Sequence, residues 1–225
     1  YRQPVNRLTE KKLLFFIVLL TGSTPVPYHL GTRISETFAI NYLEDVDFDN
    51  HEITIRNQLI KIDRTWYFKA PKYDSFRTIK MGATLEKALK DEMIRQKKNR
   101  LRFGSQYLRT YVLPDRSITQ VRSDITVPYK EVMLLCAKET GELLTPESFK
   151  YCARVIHYEL GNVLFHSHCL RHTHGTILAE NGVNPRTVME RLGHKDIETT
   201  LQTYTFNTDV MQQTAVDVFE KSLQA

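Results

Sequence analysis

The densest apolar run, Leu13 to Leu20 (LLFFIVLL), follows Lys11-Lys12 and ends at Thr21-Gly22-Ser23-Thr24-Pro25-Val26-Pro27. It predicts a buried helix from about Thr9 to Leu20. It is far shorter than the roughly 20 residues that cross a bilayer, and no convincing small-residue cleavage site follows it. Two prolines and a glycine stop that helix. A second helix is expected from Arg33, with Ile34, Phe38, Ile40 and Leu43 toward the core, before a polar turn from Glu44 to Asn50. The period then drops to two. Ile53 and Ile55, then Trp66-Tyr67-Phe68, then Phe76 to Met81 read as a small antiparallel meander interrupted by the loop Pro71 to Ser75.

Helical spacing returns from Thr84 to Arg102, with Lys87, Lys90, Arg95, Lys97, Lys98, Arg100 and Arg102 as a basic face that could track a phosphate backbone. Short strands are expected at Tyr111 to Leu113 and Ser117 to Val121, and a helix from Tyr129 to Lys138. Thr145-Pro146-Glu147 carries the N-cap, first-turn proline and carboxylate of a helix start. A further helix, His168 to Glu180, stops at Asn181-Gly182. Asn184-Pro185 caps the next, which ends at Gly193, and Asp196 caps one that carries Tyr204. From Asn207 a terminal helix presents Val210, Ala215, Val218, Phe219 and Leu223 as an apolar stripe. The fold class expected is mainly α with one small antiparallel β-sheet (α+β). The boundaries are a linker over 1–8 from an upstream domain, a main domain over 9–206, and a tail helix over 207–225 that could be exchanged between subunits.

Composition changes this picture little. The 225 residues are 41% hydrophobic, enough for a sizeable core, and the formal charge of +5 suits a polyanionic partner without identifying one. Cys136, Cys152 and Cys169 form no CxxC pair, which argues for reduced thiols and against a disulfide framework. The spacing of His166, His168, His172 and His174 does not match structural zinc sites, and there is no Walker loop, dinucleotide fingerprint or HExxH. No metal and no cofactor are expected.

The chemistry concentrates in His168-Cys169-Leu170-Arg171, Leu192-Gly193-His194 and Tyr204, with Arg33 and Lys72 upstream. A phosphodiester under attack gathers negative charge on its nonbridging oxygens. Two forked, permanently charged guanidiniums, Arg33 and Arg171, suit that charge, and His194 could donate to the same oxygens. Tyr204 supplies a phenol nucleophile that needs a base or nearby positive charge. His168 could act as that base, and Lys72 could protonate the departing oxygen. Taken singly, each has a structural explanation: Arg33 pairing with Glu36, Lys72 as a solvated loop lysine, His194 as a cap, Tyr204 as one of 11 tyrosines packed with a bonded tip. Jointly they supply every group that metal-free phosphodiester cleavage requires.

These pieces resemble the catalytic domain of a tyrosine recombinase of the phage and transposon integrase family. The resemblance rests on Leu30-Gly31-Thr32-Arg33-Ile34-Ser35-Glu36, Pro71-Lys72 with Ser75-Phe76-Arg77-Thr78-Ile79, His168-Cys169-Leu170-Arg171-His172-Thr173-His174-Gly175, Glu190-Arg191-Leu192-Gly193-His194, and Thr199 to Tyr204. It implies the tyrosine recombinase catalytic fold. It also implies phosphate binding by Arg33 and Arg171 with His194 assisting, Lys72 as general acid, His168 as proton-handling group, and Tyr204 in a 3′-phosphotyrosine link. Glu36 would support the site without reacting. In function it implies a site-specific recombinase that integrates or excises a bacterial mobile element. The implied partners are double-stranded DNA, a homotetramer on paired sites and accessory DNA-bending or directionality factors, in the bacterial cytoplasm at the nucleoid and away from membranes. A type IB topoisomerase-like strand passage enzyme and a noncatalytic DNA-binding module on the same scaffold are the alternatives. One departure stands out: Thr21-Gly22 is separated from Arg33 by a proline-rich insert, and Gly31-Thr32 takes the local turn position.

Overall fold

The computed structural model describes residues 26–160, 165–196, 198 and 209–223. The apolar helix expected before Thr21, the linker 1–8 and Tyr204 lie outside the described residues. A short helix, α1 (Val26–Leu30), forms in the segment where the prolines predicted a break. Pro27 is tolerated because the first turn of a helix needs no intrahelical N–H donor. Gly31 then adopts φ 68° and turns the chain into α2 (Ile34–Thr37). This helix is one turn long, not the longer one expected: Leu43 is exposed, and Asn41 forms an isolated antiparallel bridge with Leu134. The Leu135 amide donates to Ile40 O and the Tyr42 amide to Met133 O, so this stretch spends its backbone groups on a partner segment.

The strands that follow are β1 (Val46–Asp47), β2 (Glu52–Ile55), β3 (Gln58–Ile62), β4 (Thr65–Lys69) and β5 (Arg77–Lys80). They do not form one meander. β2 lies between β1 and β5, while β3 and β4 form a separate hairpin inserted between β2 and β5. The long helix α3 (Ala83–Phe103) buries Leu85 and Leu89. A third antiparallel sheet has the order β7 (Ile118–Arg122), β6 (Leu108–Val112), β8 (Lys130–Val132). β8 falls where a helix was expected from Tyr129 to Lys138. Val132 and the continuous run Leu134 to Ala137 are buried, an apolar stretch too short to separate strand from helix by pattern.

The helices that carry the site come next: α4 (Pro146–Leu160), α5 (Ser167–Glu180) and α6 (Pro185–Leu192), and the tail helix is α7 (Asp209–Leu223). The caps expected for α6 are present. Asn184 Oδ1 accepts from the Arg186 amide at 2.8 Å, and Gly193 closes α6 with φ 69°. The main core joins Leu30, Ile53, Ile55, Leu59, Leu85 and Ile156 with Leu170 of α5, and a smaller cluster holds Val188 and Leu192 of α6. Among the described residues the chain is thus mixed, helices with three small antiparallel sheets, where one sheet was expected.

Candidate active site

Arg33 stands at the N-cap of α2, a position usually filled by a small polar residue. Glu36 makes the arrangement work. Its carboxylate accepts from the Arg33 amide at 2.9 Å and from Arg33 Nη1 at 2.7 Å. The remaining arm of Arg33, Nη2, donates to Gly193 O at 3.0 Å. Glu36 has no solvent exposure, and its second oxygen also accepts from Arg77 Nη2 at 2.7 Å. Burial pushes its carboxyl upward. The guanidiniums of Arg77 and Arg33 more than offset this and hold the pKa below the ordinary carboxylate range.

Arg171 lies on the buried face of α5 and donates from Nη1 to Gly31 O at 2.8 Å, two residues before Arg33. Its neighbour one turn on, His174, is fixed from both sides. Nδ1 lies 2.8 Å from Tyr28 O, which can only accept, and Nε2 lies 3.0 Å from Arg191 Nε, which can only donate. These partners select the neutral tautomer with its proton on Nδ1. Burial first, then the Arg191 charge, brings the His174 pKa down to about 4. Arg191 also donates to His29 O at 3.2 Å and to Lys80 O at 3.3 Å, so it joins α6 to α1 and to the end of β5.

His194 follows the left-handed Gly193 turn. Its pKa is lowered to about 4 by burial and then by the charges of Arg171 and Arg33. Arg33, Arg171 and His194 therefore converge, and they meet through the backbone of two glycines. Lys72 begins a single 3-10 turn, Lys72–Asp74, between β4 and β5. Tyr73 and Asp74 both take left-handed backbone, φ 63° and 50°, and the Lys72 ammonium lies 4.9 Å from the centre of the Tyr73 ring. The turn reaches the arginines through Ser75, whose Oγ donates to Lys72 O at 2.9 Å and lies 3.4 Å from Arg33 Nη1. His168 is exposed on the first turn of α5, its ring 6.3 Å from that of His166. Tyr204 falls outside the described residues, so its place relative to these groups is not part of the geometry.

Three residues with no role in the sequence reading hold the site together: Arg77, His174 and Arg191. For Arg77 the signal was present. It shares strand parity with the apolar Ile79, and an inward-facing charge needs a buried partner.

Between them, Arg33, Arg77, Arg171 and Arg191 surround Glu36 and His174 with positive charge. Such a floor can bind an oxyanion with fixed donors. Residues 23–210 match the phage integrase family. The integrase of Staphylococcus phage L54a is 27% identical over 208 residues, covering 91% of this chain and 52% of that protein. The tyrosine recombinase XerC of Listeria monocytogenes serotype 4b (strain F2365) is 33% identical over 182 residues, 80% of this chain and 47% of that protein. This chain thus spans about half the length of these curated relatives. Among solved structures, the Tn1549 transposon integrase in complex with transposon right end DNA superposes with a TM-score of 0.71 at 20% identity, covering 98% of this chain and 66% of that one. The XerA recombinase superposes with a TM-score of 0.62 at 18% identity, covering 96% of this chain and 63% of that one. With the match running through nearly all of the described site, the chain belongs to the phage integrase family.

Proposed function

We propose that this chain cleaves and rejoins DNA strands as the catalytic part of a site-specific recombinase, an integrase that moves a bacterial mobile element. The observation that carries the reading is the meeting of Arg33, Arg171 and His194 at the Gly31 and Gly193 turns. In this reading the two guanidiniums bind the nonbridging oxygens of one phosphate, and His194 donates to them as a neutral imidazole. Tyr204 Oη attacks phosphorus and gives up its proton to His168. The bond to the 5′ oxygen breaks, and that oxygen takes a proton from Lys72. A 3′-phosphotyrosine bond replaces the phosphodiester, so no cofactor is needed to reverse the step.

Double-stranded DNA is the substrate in this proposal. The Tn1549 and XerH recombinase structures, which hold DNA, support it. Work as a homotetramer on two paired sites, with accessory DNA-bending or directionality factors, and a place in the bacterial cytoplasm at the nucleoid, belong to the same proposal. No described helix is long and apolar enough to cross a membrane.

The test is covalent trapping on nicked duplexes from a random-sequence pool, with peptide mapping of the adduct. The unsubstituted chain should yield DNA linked to Tyr204. Tyr204→Phe should keep DNA affinity within about twofold yet give no adduct, because the ring is kept and only the nucleophile is lost. An adduct in Tyr204→Phe would give the attack to another residue. Relaxation of supercoils without recombination of paired duplexes would favour the topoisomerase-like alternative.

A further inference from the structure

Arg77 opens β5, and its side chain is 8% exposed. Each nitrogen of its guanidinium goes to a different segment. Nη2 donates to Glu36 Oε2 at 2.7 Å, Nε to Arg191 O at 2.9 Å, and Nη1 to Ser75 O at 3.0 Å. Glu36 holds Arg33. Arg191 leads directly into Leu192-Gly193-His194. Ser75 closes the turn that starts at Lys72, and its hydroxyl donates back to Lys72 O. Gly193 leaves the room this requires: a Cβ there would lie 2.8 Å from Arg77 Nη1. The three bonds leave from three nitrogens held apart in one rigid fork, a spread that a single ammonium nitrogen does not reproduce.

We propose that Arg77 is a positioning residue for Lys72: it fixes the lysine-bearing turn at a set distance from the floor that carries Arg33 and His194. The proposal rests on the reading of Lys72 as the acid toward the leaving oxygen. Arg77 touches no substrate. It acts because a proton donor a fraction of an ångström out of place loses most of its effect. The turn needs such a tie, since Tyr73 and Asp74 both occupy left-handed backbone that non-glycine residues rarely hold without support.

Arg77→Lys is the informative variant, because it keeps a positive charge opposite Glu36 while a single ammonium cannot hold all three oxygens. The first measurement needs no DNA. The Asp74 amide donates to Pro71 O at 3.0 Å and the Phe76 amide to Asp74 O at 2.7 Å. In Arg77→Lys, hydrogen exchange at these two amides should rise about tenfold or more while β6 and β7 amides keep their rates. Unchanged exchange at the turn, or an equal rise across the sheet, would overturn the proposal.

The second measurement reads the chemistry. Single-turnover adduct formation is followed on a nicked duplex recovered by trapping on the unsubstituted chain, and on the same duplex with sulfur replacing the bridging 5′ oxygen. A thiolate leaves without a proton, so a defect that runs through Lys72 should shrink there. Arg77→Lys should slow the oxygen duplex about 100-fold and the sulfur duplex about tenfold or less. In a Lys72→Ala background it should cost about threefold or less, because its effect is already gone. A loss undiminished by sulfur, or one that multiplies the Lys72→Ala loss in full, would overturn the proposal. If Lys72→Ala itself gained nothing from sulfur, the acid assignment would fail, and the exchange measurement would still decide whether Arg77 holds the turn.

Discussion

His174 shows how far a single side chain can depart from its solution behaviour. Held between Tyr28 O and Arg191 Nε, it has room for one proton and no second. The unfolded chain protonates this imidazole near its ordinary pKa of about 6.5, whereas the folded chain resists until about 4. Between those values the unfolded state binds more protons, so stability rises with pH through the window. The contribution is complete above about pH 6.5 and is lost as pH falls toward 4. A shift of this size corresponds to roughly 3 kcal/mol. His29 and His194, both lowered, act in the same direction. Urea unfolding at intervals from pH 7.5 to 4.5 should therefore show a steady loss of stability on acidification. His174→Gln, which can still donate to Tyr28 O and accept from Arg191, should fall less steeply by about one proton. An identical slope in the variant would mean that His174 titrates normally.

Among the elements, the turn between α1 and α2 is tightly constrained. Gly31 has φ 68°, and a Cβ there would lie 2.5 Å from Leu192 Cδ2 and 2.7 Å from His174 Cδ2. Its carbonyl also accepts from Arg171. Gly31→Ala adds left-handed strain to an overlap with α6 and α5, and should cost about 2–4 kcal/mol of unfolding free energy. A denaturant midpoint close to that of the unsubstituted chain would show that α6 can give way. This turn also marks what the sequence made legible. Gly31-Thr32 before Arg33 was readable as a turn, as were the start of α4, the end of α5 and both ends of α6, because glycine, proline and asparagine punctuate them. The short α2 was not readable, because Ile40 to Tyr42 pair with Met133 to Leu135 far along the chain, and β8 was not, because its ladder is made with β6. Local period cannot register a partner more than 90 residues away. The three separate sheets escaped for the same reason, since the β3–β4 hairpin interrupts the β2–β5 pairing.

At the scale of the whole molecule, the residues of the site were named by motif, yet their meeting is tertiary. Segments near residues 33, 75, 171 and 193 come together only when α1, α5, α6 and β5 are assembled. The basic face of α3 reads differently in the fold: Lys90, Arg95, Arg100 and Arg102 pair with Glu86, Glu92, Glu131 and Glu139. α7 exposes Val216, Val218, Phe219 and Leu223. Elsewhere, Ile34, Phe149, Ala153 and Phe165 line a groove of about 550 Å³ with Lys150 and Arg154 beside it. The acidic Asp217 and Glu220 of α7 complement those two cations. The exchange of the tail helix between subunits that the sequence suggested would place α7 of one copy in this groove of another. Burying a phenylalanine contributes about 1.5–3 kcal/mol, so Phe219→Asp should cut the assembly constant on paired DNA sites by an order of magnitude or more. Sedimentation of the DNA-bound protein checks this. The variant should sediment as single copies on single sites, with the thermal unfolding of the isolated chain unchanged. Higher assemblies that persist in Phe219→Asp, at the same protein concentration, would rule out the tail as the link between copies.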